Sequence, residues 1–130
     1  MLAVRVVLLY LALVGGAIAA TTVCTVKDAG ALFAPKTISW DAEKLSATVQ
    51  MDKGTVIHGK VTLIQSQKEG ARVNLVFHSD DSALFNDMEF IVFPISKTSH
   101  RVLGVGYQTV SGVRYLRNGL GNHECICSTQ

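Results

Sequence analysis

The sequence predicts an α+β fold: one α-helix packed across a four- to five-stranded antiparallel sheet, with the two ends of the chain tied by a disulfide. Three observations predict it. One stretch, Ser39 to Gly54, carries helical spacing and helix-end signals. A succession of β-branched runs lies beyond it. The three cysteines sit only near the termini, Cys24 at one end and Cys125 and Cys127 at the other.

At the start of the chain, Met1 to Arg5 carries one positive charge, Val6 to Val14 is uninterrupted and apolar, and Ala17 and Ala19 supply the small-x-small end that signal peptidase accepts. Residues 1–19 are therefore expected to be a cleaved secretory leader. The run falls short of the roughly 18 or more apolar residues that spanning a bilayer requires, so no membrane partner is expected. The remainder, residues 20–130, suits one domain with one core. The expected location is outside the cell.

Asp28 to Pro35 reads as a loop or hairpin leading into the helix. Ser39 supplies a capping hydroxyl, Asp41 and Glu43 fall in the first turn where the helix dipole favours acids, and Lys53-Gly54 supplies the stop. Ile38, Ala42, Leu45 and Val49 fall on one stripe at spacings of four, three and four. Strands are predicted at Val56–Ile64, Val73–Phe77, Met88–Ile95, Arg101–Tyr107 and Val113–Leu116, with Lys68-Glu69-Gly70 as a hairpin tip. One helix followed by about five strands is the pattern of an antiparallel sheet covered on one face.

Composition excludes several classes. Twelve basic residues stand against ten acidic ones, so no global field favours a polyanion. No Ser-His-Asp order, nucleotide-binding glycine loop or His-Glu-x-x-His occurs, and Cys125-x-Cys127 is too tight for a zinc knuckle, so neither cofactor nor metal is expected. The acidic group Asp80, Asp81, Asp87 and Glu89 lacks the ordered oxygen spacing of a calcium loop. Joining Cys24 to either Cys125 or Cys127 would close nearly the whole chain. The third cysteine is then a buried spare, and the domain a monomer.

In the last third, Phe90-Ile91-Val92-Phe93-Pro94-Ile95 precedes Ser99-His100-Arg101-Val102-Leu103, then Ser111-Gly112-Val113, then Gly121-Asn122-His123-Glu124-Cys125. This order resembles the small fungal guanyl-specific ribonucleases, and the interval from Arg101 to Gly112 agrees with that family without a gap. The resemblance implies a ribonuclease-like fold, a bridge between Cys24 and Cys125, and a degenerate catalytic site. The positions matching the catalytic glutamate and distal histidine hold Val92 and Leu116, neither of which can move a proton. Arg101 matches the phosphate-stabilising arginine, and His58, beside Lys60, matches the first histidine. The chain is also similar to the ribonuclease-like secreted effectors of powdery mildews, departing at Thr22-Val23-Cys24, where that class carries an aromatic two residues before the cysteine.

The implied function is that of a secreted, non-catalytic effector that binds a host protein or RNA, with action inside host cells as one expectation. Arg101, His58, Lys60, Arg114 and Tyr107 are the candidate RNA or phosphate contacts, because basic groups beside stacking surfaces suit single-stranded RNA. Two alternatives stand beside it. An active endoribonuclease would use His58 or His123 with Glu89 and Arg101; a disulfide-tied β-rich binding module would be unrelated to ribonucleases. His100 adjoins Arg101, but strand alternation points the two in opposite directions.

Overall fold

The computed structural model describes residues 21–27, 35–51, 54–80 and 86–130. The expected leader, most of the expected loop from Asp28 to Pro35, and Lys53 and Asp81 lie outside the described residues. Eight antiparallel strands run in chain order: β1 (Thr21–Val26), β2 (Pro35–Asp41), β3 (Ser46–Met51), β4 (Val56–Gln67), β5 (Gly70–His78), β6 (Asp87–Pro94), β7 (Ser99–Val110) and β8 (Val113–Thr129). Each pairs with the next, and β8 returns to pair with β1, closing a barrel. The α+β expectation is thereby corrected: the described residues form an all-β barrel without a helix. The ribonuclease-like fold falls with it, since that fold needs a helix lying across an open sheet.

The helix expectation fails for a local reason. Ile38 and Trp40 are buried on β2, and Ala47 and Val49 on β3, so the apolar residues alternate with period two on either side of a turn. Thr37, Ile38, Thr48 and Val49 are β-branched, which favours the pleated conformation. Ser39, the expected helix cap, lies within β2, and the capping group is Asp41, which closes a turn: its Oδ1 accepts from the Glu43 and Lys44 backbone N–H groups, both at 2.9 Å. Ala42 and Leu45, expected on the helical stripe, are exposed in that turn. The five later strands occur where expected, most of them longer. Ser111-Gly112 is the two-residue tip of the β7–β8 hairpin, both residues at positive φ (51° and 77°), as a primed turn requires.

Eight strands leave an interior that side chains can fill. Val73, Leu75 and Phe77 of β5 face Met88, Phe90 and Val92 of β6 inside, while Arg72, Asn74, Glu89 and Arg101 lie on the other faces of their strands. Phe77 and Phe90 meet edge to face with centroids 5.8 Å apart. Each ring lies across a glycine on its neighbouring strand. A methyl group on Gly59 would come within 2.5 Å of the Phe77 ring, and one on Gly104 within 2.6 Å of Phe90. Bulges in the β4–β5 and β7–β8 ladders bend the long strands toward closure.

The disulfide joins Cys24 to Cys127, across the β1–β8 seam. This corrects the Cys24–Cys125 pairing. The register sets Cys24 directly opposite Cys127, with Cα atoms 4.0 Å apart, while Cys125 lies opposite Val26. Cys125 is the free, buried thiol, its Sγ 3.9 Å from that of Cys127.

Candidate functional site

Because the strands alternate in direction, turns gather at two opposite ends. One end carries the start of β1, the β2–β3, β4–β5 and β6–β7 turns, and the end of β8; there the interior opens into a cavity of about 260 Å³. Trp40, Ile64, Ala71 and Val73 form its apolar wall, and His100 and Cys127 line it from β7 and β8. Strand periodicity explains the set: Trp40, Ala71 and His100 are the inward residues nearest that end of β2, β5 and β7, and Val73 and Cys127 follow on the inward alternation of β5 and β8. At Gly70 the wall carries no side chain.

His100 is the one buried polar or charged residue among those described, with 7% of its surface exposed. Its Nδ1 is sealed from solvent and lacks a hydrogen-bond partner. Burial lowers its pKa from the ordinary 6.5, with the Thr98 backbone opposing that shift, so the ring is neutral at pH 7. Its cross-strand neighbours are Pro94 and Cys125. The Cys125 thiol is also neutral, pushed up to about 11 by burial first and then by Glu124. Around the mouth, Lys97 and Glu69 bring one charge of each sign, and the Thr22 and Thr129 hydroxyls pair with each other at 3.0 Å.

The three sulfurs of Cys24, Cys125 and Cys127 lie within 4.8 Å of one another. Two of them are spent in the disulfide, so the oxidised chain offers a metal a single thiol there.

The candidate residues expected from the sequence lie on the outside of the barrel and, apart from Arg114 and Tyr107, do not converge. His58 and Lys60 are exposed on β4, His58 with its Nδ1 3.4 Å from the Thr48 hydroxyl. Arg101, on β7, donates to the Asn122 side chain at 2.9 Å. Arg114 and Tyr107 do come together: the guanidinium lies 3.7 Å over the ring, bonded to Glu89 at 3.1 Å and 3.9 Å from Asp87. Val92 is fully buried in the barrel interior, whereas Leu116 is 67% exposed on the β7–β8 hairpin. The two positions expected to replace a catalytic pair thus share no surface. At the hairpin end His78 is clasped between Asp87 and Asp80, each at 2.8 Å, and both raise its pKa, Asp87 the more.

No family model, curated protein or solved structure matches the chain.

The groups present decide what the site can do. A cavity walled by Trp40, Ile64, Ala71 and Val73, with His100 set into it and Thr22, Thr129, Glu69 and Lys97 at its mouth, has the mixture of apolar surface and a few polar groups that suits the binding of a small molecule. Trp40, Ile64, Ala71 and His100 do not stand out as site residues in the sequence. The usable signal is parity, since His100, Val102 and Gly104 alternate with outward Arg101 and Leu103, but the buried end of that stripe is visible only once the barrel is closed.

Proposed function

We propose that this chain is a binding protein: a disulfide-tied β-barrel that takes one small molecule in the cavity at its turn-bearing end and does no chemistry on it. The observation that carries this reading is the cavity itself, walled by Trp40, Ile64 and Val73 and containing the one buried polar side chain among the described residues, His100. Eight-stranded barrels are wide enough to hold one small ligand when side chains do not fill them. An apolar cavity of roughly 150 Å³ accommodates benzene, and drug-sized pockets start at roughly 300 Å³, so a cavity of about 260 Å³ suits a single ring with a short substituent. Release outside the cell is part of the proposal, supported by the leader-like residues 1–19 and by a disulfide that an oxidising compartment would preserve.

An RNA-binding role draws less support. Arg114 is matched by Glu89 and Asp87, Arg101 is held by Asn122, and His58 and Lys60 stand on β4, separated from β7 by β5 and β6.

Trp40 is the chain's single tryptophan and lines the cavity, so its emission reports occupancy. Titrating the oxidised protein with propylbenzene and 4-propylphenol, exciting at the red edge of tryptophan absorption, is expected to give a saturable change. Ala71→Phe, which fills the cavity, should abolish it. No saturable change with either probe, or unchanged binding in Ala71→Phe, would overturn the proposal.

A further inference from the structure

We propose that, when the Cys24–Cys127 bond is reduced, Cys24, Cys125 and Cys127 together bind one zinc ion, so that the β1–β8 seam has two alternative closures, a disulfide or a metal.

Three sulfurs converge at the seam. Among the described residues, Cys24, Cys125 and Cys127 form a group whose ligand atoms all lie within 4.8 Å of one another. Cys24 and Cys125 are fully buried, and Cys127 is 7% exposed. The ladder accounts for the convergence. Cys24 stands opposite Cys127 across the seam, and Cys125 and Cys127 are alternate residues of β8, both turned inward while Ile126 between them is 43% exposed. The Cys125-x-Cys127 interval is too tight for a knuckle, where the chain turns around the metal. In a strand the same interval puts both sulfurs on one face.

The spacing fits zinc. Thiolates bind it at about 2.3 Å, and tetrahedral angles then set two sulfurs roughly 3.8 Å apart. The Cys125 and Cys127 sulfurs already lie 3.9 Å apart. Once its bond to Cys127 is broken, Cys24 is held by the β1–β8 ladder within reach of the same point. Soft thiolate sets also favour zinc over the hard cations that seek oxygen. A fourth ligand would come from the cavity, which Cys127 and His100 line, with His100 opposite Cys125 on β7. Of the three cysteines only Cys127 lines that cavity, so metal binding and small-molecule binding stand or fall separately.

The steps balance. A dithiol supplies two electrons: the Cys24–Cys127 S–S bond breaks, the reductant's own disulfide forms, and its two protons pass to the two cysteine sulfurs. Zinc then displaces three S–H protons to solvent as three Zn–S bonds form. A small-molecule disulfide reverses the outcome by taking two electrons from Cys24 and Cys127 and, with two protons from solvent, leaving as two thiols. The seam bond re-forms and the zinc, left with one thiolate, is released.

The test uses the protein reduced by a phosphine without oxygen, so that no added thiol competes. Cobalt(II) should give the intense visible bands of a tetrahedral thiolate site at one ion per chain, and one equivalent of zinc should remove them; the oxidised protein should give none. Cys125→Ser, which leaves both disulfide partners in place, should weaken zinc binding by more than the roughly 10- to 100-fold that losing an outer partner of a metal ligand costs. Zinc should raise the melting temperature of the reduced protein, or restore its β-sheet circular dichroism where reduction unfolds it, and do neither for Cys125→Ser. A small disulfide added to the zinc-loaded protein should release one zinc per seam bond formed, read with a chromophoric chelator. Absence of tetrahedral cobalt bands in the reduced protein, the same bands in the oxidised protein, or equal zinc affinity in Cys125→Ser would overturn the proposal. So would zinc binding with no effect on melting or refolding, the mark of an unfolded chain holding metal through scattered thiols.

Discussion

The two ends of the barrel are closed in different ways. Toward the β7–β8 hairpin the interior is filled: Phe77 and Phe90 meet edge to face, Met88 packs beside them, and Gly59 and Gly104 make room for the rings. Toward the other end β5 lines the wall with Gly70, Ala71 and Val73, no phenylalanine joins them among the described residues, and a cavity results. There a covalent link, Cys24–Cys127, holds the β1–β8 seam. The same inward alternation thus yields a dense plug where a phenylalanine ring lies across a glycine, and a ligand-sized space where Gly70 and Ala71 leave the space beside Trp40 and His100 unfilled. One half is held by packing, the other by a bond.

Removing that bond should have the largest effect. Cys24→Ala with Cys127→Ala releases a link spanning 103 positions, and the expected loss is about 4–5 kcal/mol, measured by urea unfolding. Amide exchange should accelerate first in β1 and β8, and uniform acceleration through β5 and β6 would break the comparison. Next comes the plug: Phe90→Ala should cost about 3–5 kcal/mol. Gly104→Ala, which drives a methyl group into the Phe90 ring and Leu120, should cost about 1–3 kcal/mol alone and much less on the Phe90→Ala background, as a double-mutant cycle would register. At the cavity end a change in the opposite direction should be tolerated: Ala71→Phe is expected to shift stability by no more than about 1 kcal/mol while abolishing probe binding. A loss as large as that of Phe90→Ala would mean that the cavity end is packed after all.

The smallest effects are those of pH, and they have opposite signs at the two ends. His78, at the plugged end, has its pKa raised by Asp87 and Asp80; its contribution is complete below the unfolded value of 6.5 and is lost as pH rises through the folded value. His100, at the cavity end, has its pKa lowered by burial, so its contribution is complete above 6.5 and is lost as pH falls toward the folded value. His78→Asn should flatten the alkaline side of the stability profile, and His100→Gln the acid side. Glu124, whose pKa is lowered by Lys27 and Ser99, adds a separate loss at lower pH, as the carboxylate protonates. If both histidine variants moved the same side of the profile, the assignment of the two environments would fail.

Much of the sheet is legible in the residues and the closure is not. The runs Val73–Phe77 and Met88–Ile95 show as strands because their apolar residues are β-branched or aromatic and bounded by turn formers, and the Lys68-Glu69 tip lies where its turn formers place it. The segment Ile38–Val49 misleads because four apolar residues at spacings of four, three and four satisfy a helical stripe as well as two short strands joined by a turn. Ser39, expected to cap a helix, lies within β2, and Asp41, expected in the first helical turn, caps the β2–β3 turn. The last third misleads through motif order: Phe-Ile-Val-Phe-Pro, His-Arg-Val and Ser-Gly-Val also describe two barrel strands and a hairpin tip. The candidate site is hidden because Trp40, Ala71 and His100 are ordinary strand residues until β2, β5 and β7 are bent around one axis.

The residues by themselves determined the local alternation of apolar and polar side chains, the hairpin tips, and that a cysteine near the start would be bridged to one near the end. Only the tertiary structure decided which cysteine that is, which histidine turns inward, and where the interior stays empty. Each of those depends on register summed around eight paired strands, in which a shift of one residue turns every side chain of a strand to the other face. No local stretch of sequence contains that sum.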